Sequence, residues 1–313
     1  MQPAFSVIFL TTLAGAAQGL FLALYGTEIS GLGALSASDS QQFLSTASAV
    51  ALLLTGLGLL ASFFHLGHPE RAWRSATMWR TSWLAREVIA LPLFMLGLFL
   101  YAGAHWLGLG NTKWIGAVTV LLCLALFVAT AMIYASVRFL QEWASPLTIV
   151  NYLLLGCASG LTLATLLAAS FGMTALVTPY AFAAAALTLL AWVTRSASLV
   201  RNARLKPKST LQSAIGIKHP RIVQKAQGFM GGSFNTREFF HGRSAQLLRS
   251  VKWAFLLLVF PLPLLSLVLG VNTASTVLLL LAFALQYLGL LAERWFFFAQ
   301  ANHPQNLYYQ TIS

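Results

Sequence analysis

The sequence predicts an all-α membrane protein, a polytopic bundle of eight transmembrane helices with both termini cytoplasmic. Three observations lead there. The 313 residues are 58% hydrophobic and only 8% charged, where a soluble domain carries about a quarter charged residues, and the mean hydropathy is +0.76. The apolar residues gather in eight runs of about 20, the length a helix needs to cross the hydrocarbon layer. The charges gather between alternate runs, which gives the bundle two unlike faces.

The spans fall at about 5–26, 43–66, 84–107, 113–137, 147–170, 175–197, 252–271 and 273–297, in a single membrane domain of 1–313. The first run has no Lys or Arg before it and exceeds the apolar core of a signal peptide, so it is expected to remain as a span. The last two runs are joined by a tight hairpin around Gly270, Val271 and Asn272. Gly15 with Gly19, and Gly156 with Gly160, have the spacing that lets membrane helices approach closely. Cys123 and Cys157 both lie in apolar runs and read as buried small hydrophobes. Without a CxxC or a cysteine cluster, this sequence cannot hold an iron–sulfur cluster alone.

Orientation follows from the basic residues. Arg71, Arg74, Arg80, Arg86, Arg138, the twelve Lys/Arg from Arg195 to Lys252, and Arg294 share one side, eighteen of nineteen in all. The other side has Lys113, with Glu28 and Asp39 in its first loop. By the positive-inside rule the crowded side is cytoplasmic. The net charge of +12 is thus topology charge and does not indicate nucleic-acid binding.

Residues 198–250 form a basic cytoplasmic loop whose one acidic residue is Glu238. Such a loop can lie against anionic headgroups. It also carries Phe229, Met230, Phe234, Phe239 and Phe240, which a solvated loop does not need. The favoured reading is therefore a platform for a soluble partner, with Lys218, Arg221, Lys225 and Arg237 joined by Arg74 and Arg80 as docking residues.

Ionisable groups at span edges are the candidates for chemistry. His65 closes the second run and Glu87 opens the third, so a short connection brings an imidazole and a carboxylate to similar depth. Such a pair can hydrogen-bond a quinone carbonyl and exchange its protons. Tyr134 and Arg138, one turn apart at the end of the fourth run, are a second set. Plainer readings stand beside these. His65 can be an interfacial anchor, Glu87 an ion-pair partner of Arg86 or Arg74, and Arg71, Arg74 and Arg80 topology determinants. Trp79 and Trp83 read as an aromatic belt. A membrane haem needs two facing axial ligands, yet His65 and His105 lie on opposite sides, so if electrons pass through this protein a mobile organic carrier must receive or deliver them. A transporter would need ionisable positions near the midplane and an internal repeat. Here the charges hug one interface and no repeat is visible.

The segments HLGHPERAW (65–73) and RTSWLARE (80–87), with MIYASVRF (132–139), resemble the membrane anchor subunit of the dimethyl sulfoxide reductase family of molybdenum enzymes. The likeness extends over most of the sequence. It implies a haem-free, quinone-binding anchor on which an iron–sulfur subunit and a molybdopterin catalytic subunit dock. The family's quinone-site histidine and glutamate fall on His65 and Glu87, and Arg71, Trp73 and Arg86 join them by position. In respiratory sulfoxide reductases this face is periplasmic, whereas the charges here put it inside. That orientation, together with IKHPRIVQKAQGFMGGSFNTREFF (217–240), is similar to the anchors of cytoplasmic sulfite dehydrogenases in the inner membrane of sulfur-oxidising bacteria. The implied reaction is sulfite oxidation with electrons passed to ubiquinone or menaquinone. The alternative is the anchor of a dimethyl sulfoxide or other S/N-oxide reductase that oxidises menaquinol.

Overall fold

In the computed structural model, residues 1–34, 36–64, 66–208, 210–223, 225 and 239–304 are described. Within them the long elements are α1 (Phe5–Ser30), α2 (Ala37–Phe63), α3 (Trp83–Trp106), α4 (Thr112–Ala135), α5 (Pro146–Ser170) and α6 (Thr174–Ala203). A one-turn helix α7 (Leu211–Ile215) follows, then α8 (Ala245–Val259), α9 (Pro261–Asn272) and α10 (Thr276–Ala299). A 3-10 helix, Pro69–Met78, joins α2 to α3. Among the described residues there are no strands, and eight helical segments are long and apolar enough to cross a membrane. The all-α, eight-span expectation therefore holds.

Helix starts carry a local signal. Serine hydroxyls at Ser36, Ser82, Ser145, Ser244 and Ser275 accept a backbone N–H from the first turns of α2, α3, α5, α8 and α10. Each satisfies a donor that lipid could not. The seventh span is broken where the sequence suggested one run. Pro261 has no N–H to donate, and its ring clashes with the carbonyl one turn earlier in a continuous helix. Phe260 takes up the bend at φ −111°, ψ −81° and stacks on Trp192 at 5.6 Å. The following hairpin turns through Thr273 to Ser275, with Ala274 at φ +49°.

α1 lies at the centre and packs against α2, α4, α5 and α10. The two small-residue motifs explain its place, because they face each other. A Cβ on Gly19 would stand 2.7 Å from Cys157 Cα, and one on Gly160 would run into the backbone of Gly19 and Leu20. The α1–α5 crossing is thus a backbone-to-backbone contact that only glycine permits. Around it, Phe21, Leu24, Phe94, Leu98 and Tyr101 fill the half of the bundle away from the basic loops. Cys123 and Cys157 are buried in this same core.

Candidate functional site

α3 opens on two neighbouring ionisable residues that turn opposite ways, since successive residues lie about 100° apart on a helix. Arg86 faces outward. Its Nε donates to Trp79 O at 2.9 Å, its Nη2 to Arg80 O at 2.9 Å, and its guanidinium lies 4.0 Å from the centre of the Trp83 ring. It therefore clamps the turn that leads into the helix. Glu87 faces inward and is 8% exposed. Thr130 Oγ1 donates to its carboxylate at 2.5 Å, and among the described residues it makes no ion pair. Pairing of Glu87 with Arg86 or Arg74, one of the plainer readings, is absent.

Beside Glu87 runs a narrow, mainly apolar cleft between α1, α3, α4, α5 and α10. Gln18, Thr130, Ser159, Tyr152 and Arg294 line it together with Glu87. It has room for roughly one or two water molecules. Arg294 belongs to a buried charge cluster. Glu293 Oε1 lies 2.7 Å from Arg195 Nε, and Glu293 Oε2 lies 3.3 Å from Arg294 Nε. The Arg294 guanidinium sits 3.7 Å from the centre of the Tyr152 ring. All three charged residues are buried. A second small cleft, bounded by Glu142, Asn151, Ser198 and Asn202, lies on the far side of this cluster and shares Tyr152 and Arg294 with the first.

This second cleft is pinned by polar side chains. Thr194 Oγ1 donates to Asn151 Oδ1 at 2.8 Å, and Asn151 Nδ2 donates to Ser198 Oγ at 2.9 Å. Arg201 Nη2 donates to Gln141 O at 3.0 Å, and Asn202 Nδ2 to Glu142 O at 3.4 Å. Together they tie the end of α6 to α5 and to the connection between α4 and α5.

The sequence singled out other positions that the structure places elsewhere. Arg71 and Trp73 lie on the exposed face of the 3-10 helix, with Trp73 66% exposed and Arg71 Nε 3.6 Å from Glu70 Oε1. Tyr134 and Arg138 do not form a pocket: α4 ends at Ala135, Arg138 is exposed, and Tyr134 is buried among Trp143, Tyr152, Phe297 and Phe298. Arg74, Arg80, Lys218, Arg221 and Lys225 are exposed, as docking residues need to be. His65 and Arg237 lie outside the described residues.

Arg195, Glu293, Arg294 and Tyr152 are the residues that sequence reasoning missed. Arg195 and Arg294 look like topology charge at span ends, and their cue was Glu293, one of only seven acidic residues, inside an apolar run. At the opposite end, Glu28 is not a loop residue. It ends α1 facing inward, where Tyr101 Oη donates to it at 2.7 Å and His105 Nε2 lies 3.5 Å away.

Eight helical segments long and apolar enough to cross a membrane, with buried ionisable groups at both ends of the bundle, define a membrane-embedded protein. The family model described as the DMSO reductase anchor subunit, DmsC, matches residues 1–300, and the protein belongs to that family. It is 54% identical to the C subunit of the sulfite dehydrogenase of Allochromatium vinosum over 326 aligned positions, which cover 100% of both proteins. It is 28% identical over 166 residues to the C subunit of the anaerobic dimethyl sulfoxide reductase of Haemophilus influenzae, covering 50% of this protein and 56% of that one. The protein is thus an anchor subunit of the sulfite dehydrogenase or dimethyl sulfoxide reductase type.

Proposed function

We propose that this anchor passes electrons between a docked iron–sulfur subunit and the membrane quinone pool, with Glu87 and His65 as the quinone-reactive pair. A molybdopterin subunit beyond the iron–sulfur subunit oxidises sulfite, releasing two electrons and two protons as water supplies the added oxygen. At the anchor, quinone takes up two electrons and two protons to become quinol. The observation that carries this reading is the Glu87 carboxyl group: buried, without an ion pair among the described residues, and at the end of the bundle where the basic residues gather. A carboxyl group so placed can give a proton to a quinone oxygen and recover it.

The interior cleft beside Glu87 is water-sized and does not admit a quinone ring. The ring therefore has to approach Glu87 from outside this cleft. Arg71, Arg74 and Arg80, with Lys218, Arg221, Lys225 and Arg237, form the docking face. Charge asymmetry supports a cytoplasmic position for that face, in a bacterial inner membrane. Ubiquinone and menaquinone both carry the carbonyl oxygens that this chemistry uses.

The test is binding of a fluorescent quinone analogue to the purified complex. Quenching that saturates with the wild type and weakens with Glu87→Gln or His65→Ala supports the assignment. Equal binding by all three proteins would contradict it.

A further inference from the structure

The two small clefts share a wall, and that wall is short of hydrogen-bond partners. Among the described residues Arg195 Nη2 is buried with no protein hydrogen-bond partner, Glu293 Oε2 faces Arg294 Nε at 3.3 Å, and the buried Tyr152 hydroxyl, near Tyr134 and Arg294, has no well-aligned hydrogen bond. Tyr152, Arg195 and Glu293 line the cleft that reaches Glu142, and Tyr152 also lines the cleft that holds Glu87. Buried polar atoms in native proteins are nearly always satisfied, by ordered water where protein is lacking. The first cleft has room for roughly one or two waters and the second for about one, and each offers several polar partners.

We propose that these clefts hold a file of ordered waters along which protons move between Glu87 and the basic end of the bundle at Glu142. The proposal rests on the quinone reading of Glu87 and adds where its proton comes from. When quinone is reduced, the partner subunit supplies two electrons and Glu87 gives a proton to a quinone oxygen. The resulting carboxylate is reprotonated from the file, and Glu142 takes the replacement proton from bulk water. A second pass supplies the second proton. In quinol oxidation each step runs backwards, and the protons leave at Glu142.

Tyr152 is the joint of this route, because a hydroxyl accepts one hydrogen bond while donating another and so can hand a proton from one cleft to the next. Arg294 cannot carry a proton, since a guanidinium only donates. It is a positioning residue that stacks on the Tyr152 ring and turns water oxygens toward itself. Glu293 holds Arg294, and Arg195 holds Glu293. The two clefts meet at Tyr152 and Arg294, and the second leads to Glu142 at the basic end of the bundle.

The experiment uses the whole complex in liposomes with quinone as acceptor. Tyr152→Phe keeps the ring and removes the hydroxyl. Expected is a fall in quinone-dependent turnover on the order of tenfold to a hundredfold, with unchanged quinone KM, unchanged analogue binding and unchanged rate with an artificial acceptor. The solvent deuterium isotope effect on turnover should rise, because proton delivery becomes limiting. Glu142→Gln, at the solvent end, should slow turnover most at high pH, where protons are scarce. Wild-type turnover and isotope effect in both variants would overturn the route. So would a Tyr152→Phe complex that changes only KM, because that is a binding defect. Failure of the quinone reading looks different: there, Glu87→Gln itself would turn over quinone like the wild type.

Discussion

Replacing Glu293 by Gln would leave Arg195 and Arg294 buried side by side with no carboxylate between them. In the native cluster the carboxylate oxygens stand 2.7 and 3.3 Å from the two Nε atoms. At an effective dielectric constant of about 20, each of these attractions is worth about 5–6 kcal/mol before desolvation is counted. Most of that gross figure offsets the cost of taking the ions out of water, but the cost remains when the carboxylate is removed. Breaking a buried pair in this way typically costs about 3–5 kcal/mol, or two to three factors of ten in the folded population, at about 1.4 kcal/mol each. The charge arithmetic provides an internal control. The native cluster carries one net positive charge, Glu293→Gln carries two, and Glu293→Gln with Arg195→Met returns to one. Met also fills the place beside the Phe255 ring that Arg195 occupies. Thermal unfolding of the detergent-solubilised protein, followed by tryptophan fluorescence, should show a large loss for the single variant and recovery of more than half of it in the double variant. A single variant as stable as the wild type, or a double variant no better than the single, would refute the reasoning.

Two further outcomes test the bundle and its orientation. Gly160→Ala should cost about 3 kcal/mol or more, because the new methyl meets the backbone of Gly19 and Leu20, which cannot step aside; Gly26→Ala, with nothing within 4 Å of its new methyl, should be silent in the same unfolding assay. A membrane-impermeant maleimide should label Lys113→Cys in intact cells and Arg80→Cys only after permeabilisation, while native Cys123 and Cys157 stay unlabelled in the core; the reverse pattern would invert the topology.

Much of the fold was legible because it is written in local terms. A run of about 20 apolar residues must be a helix in lipid whatever its neighbours are, and serine at the start of five helices is a one-turn signal. The break at Phe260 was legible too, had Pro261 been weighed against an otherwise unbroken apolar run. The pairing of Gly15 and Gly19 with Gly156 and Gly160 was not. Spacing marks a helix face as smooth but does not say which other helix meets it.

The site divides in the same way. Glu87 stood out as a carboxylate at the opening of an apolar run, and the structure buries it. Arg86 was grouped with it by adjacency in sequence, yet one step along a helix is a third of a turn, and the two side chains part company. Tyr134 and Arg138 were separated because α4 ends between them. The cluster of Arg195, Glu293 and Arg294 escaped notice for another reason. Arg195 comes from α6 and its partners Glu293 and Arg294 from α10, far apart in the sequence, and a positive charge near a span end looks the same whether it faces headgroups or a buried carboxylate.

Turnover of the assembled complex tests the role of Glu87 and His65 most directly. Sulfite-dependent reduction of quinone should be abolished by Glu87→Gln and by His65→Ala, while reduction of an artificial acceptor at the catalytic subunits continues at the wild-type rate. Quinone reduction that survives both substitutions at the wild-type rate would contradict that role.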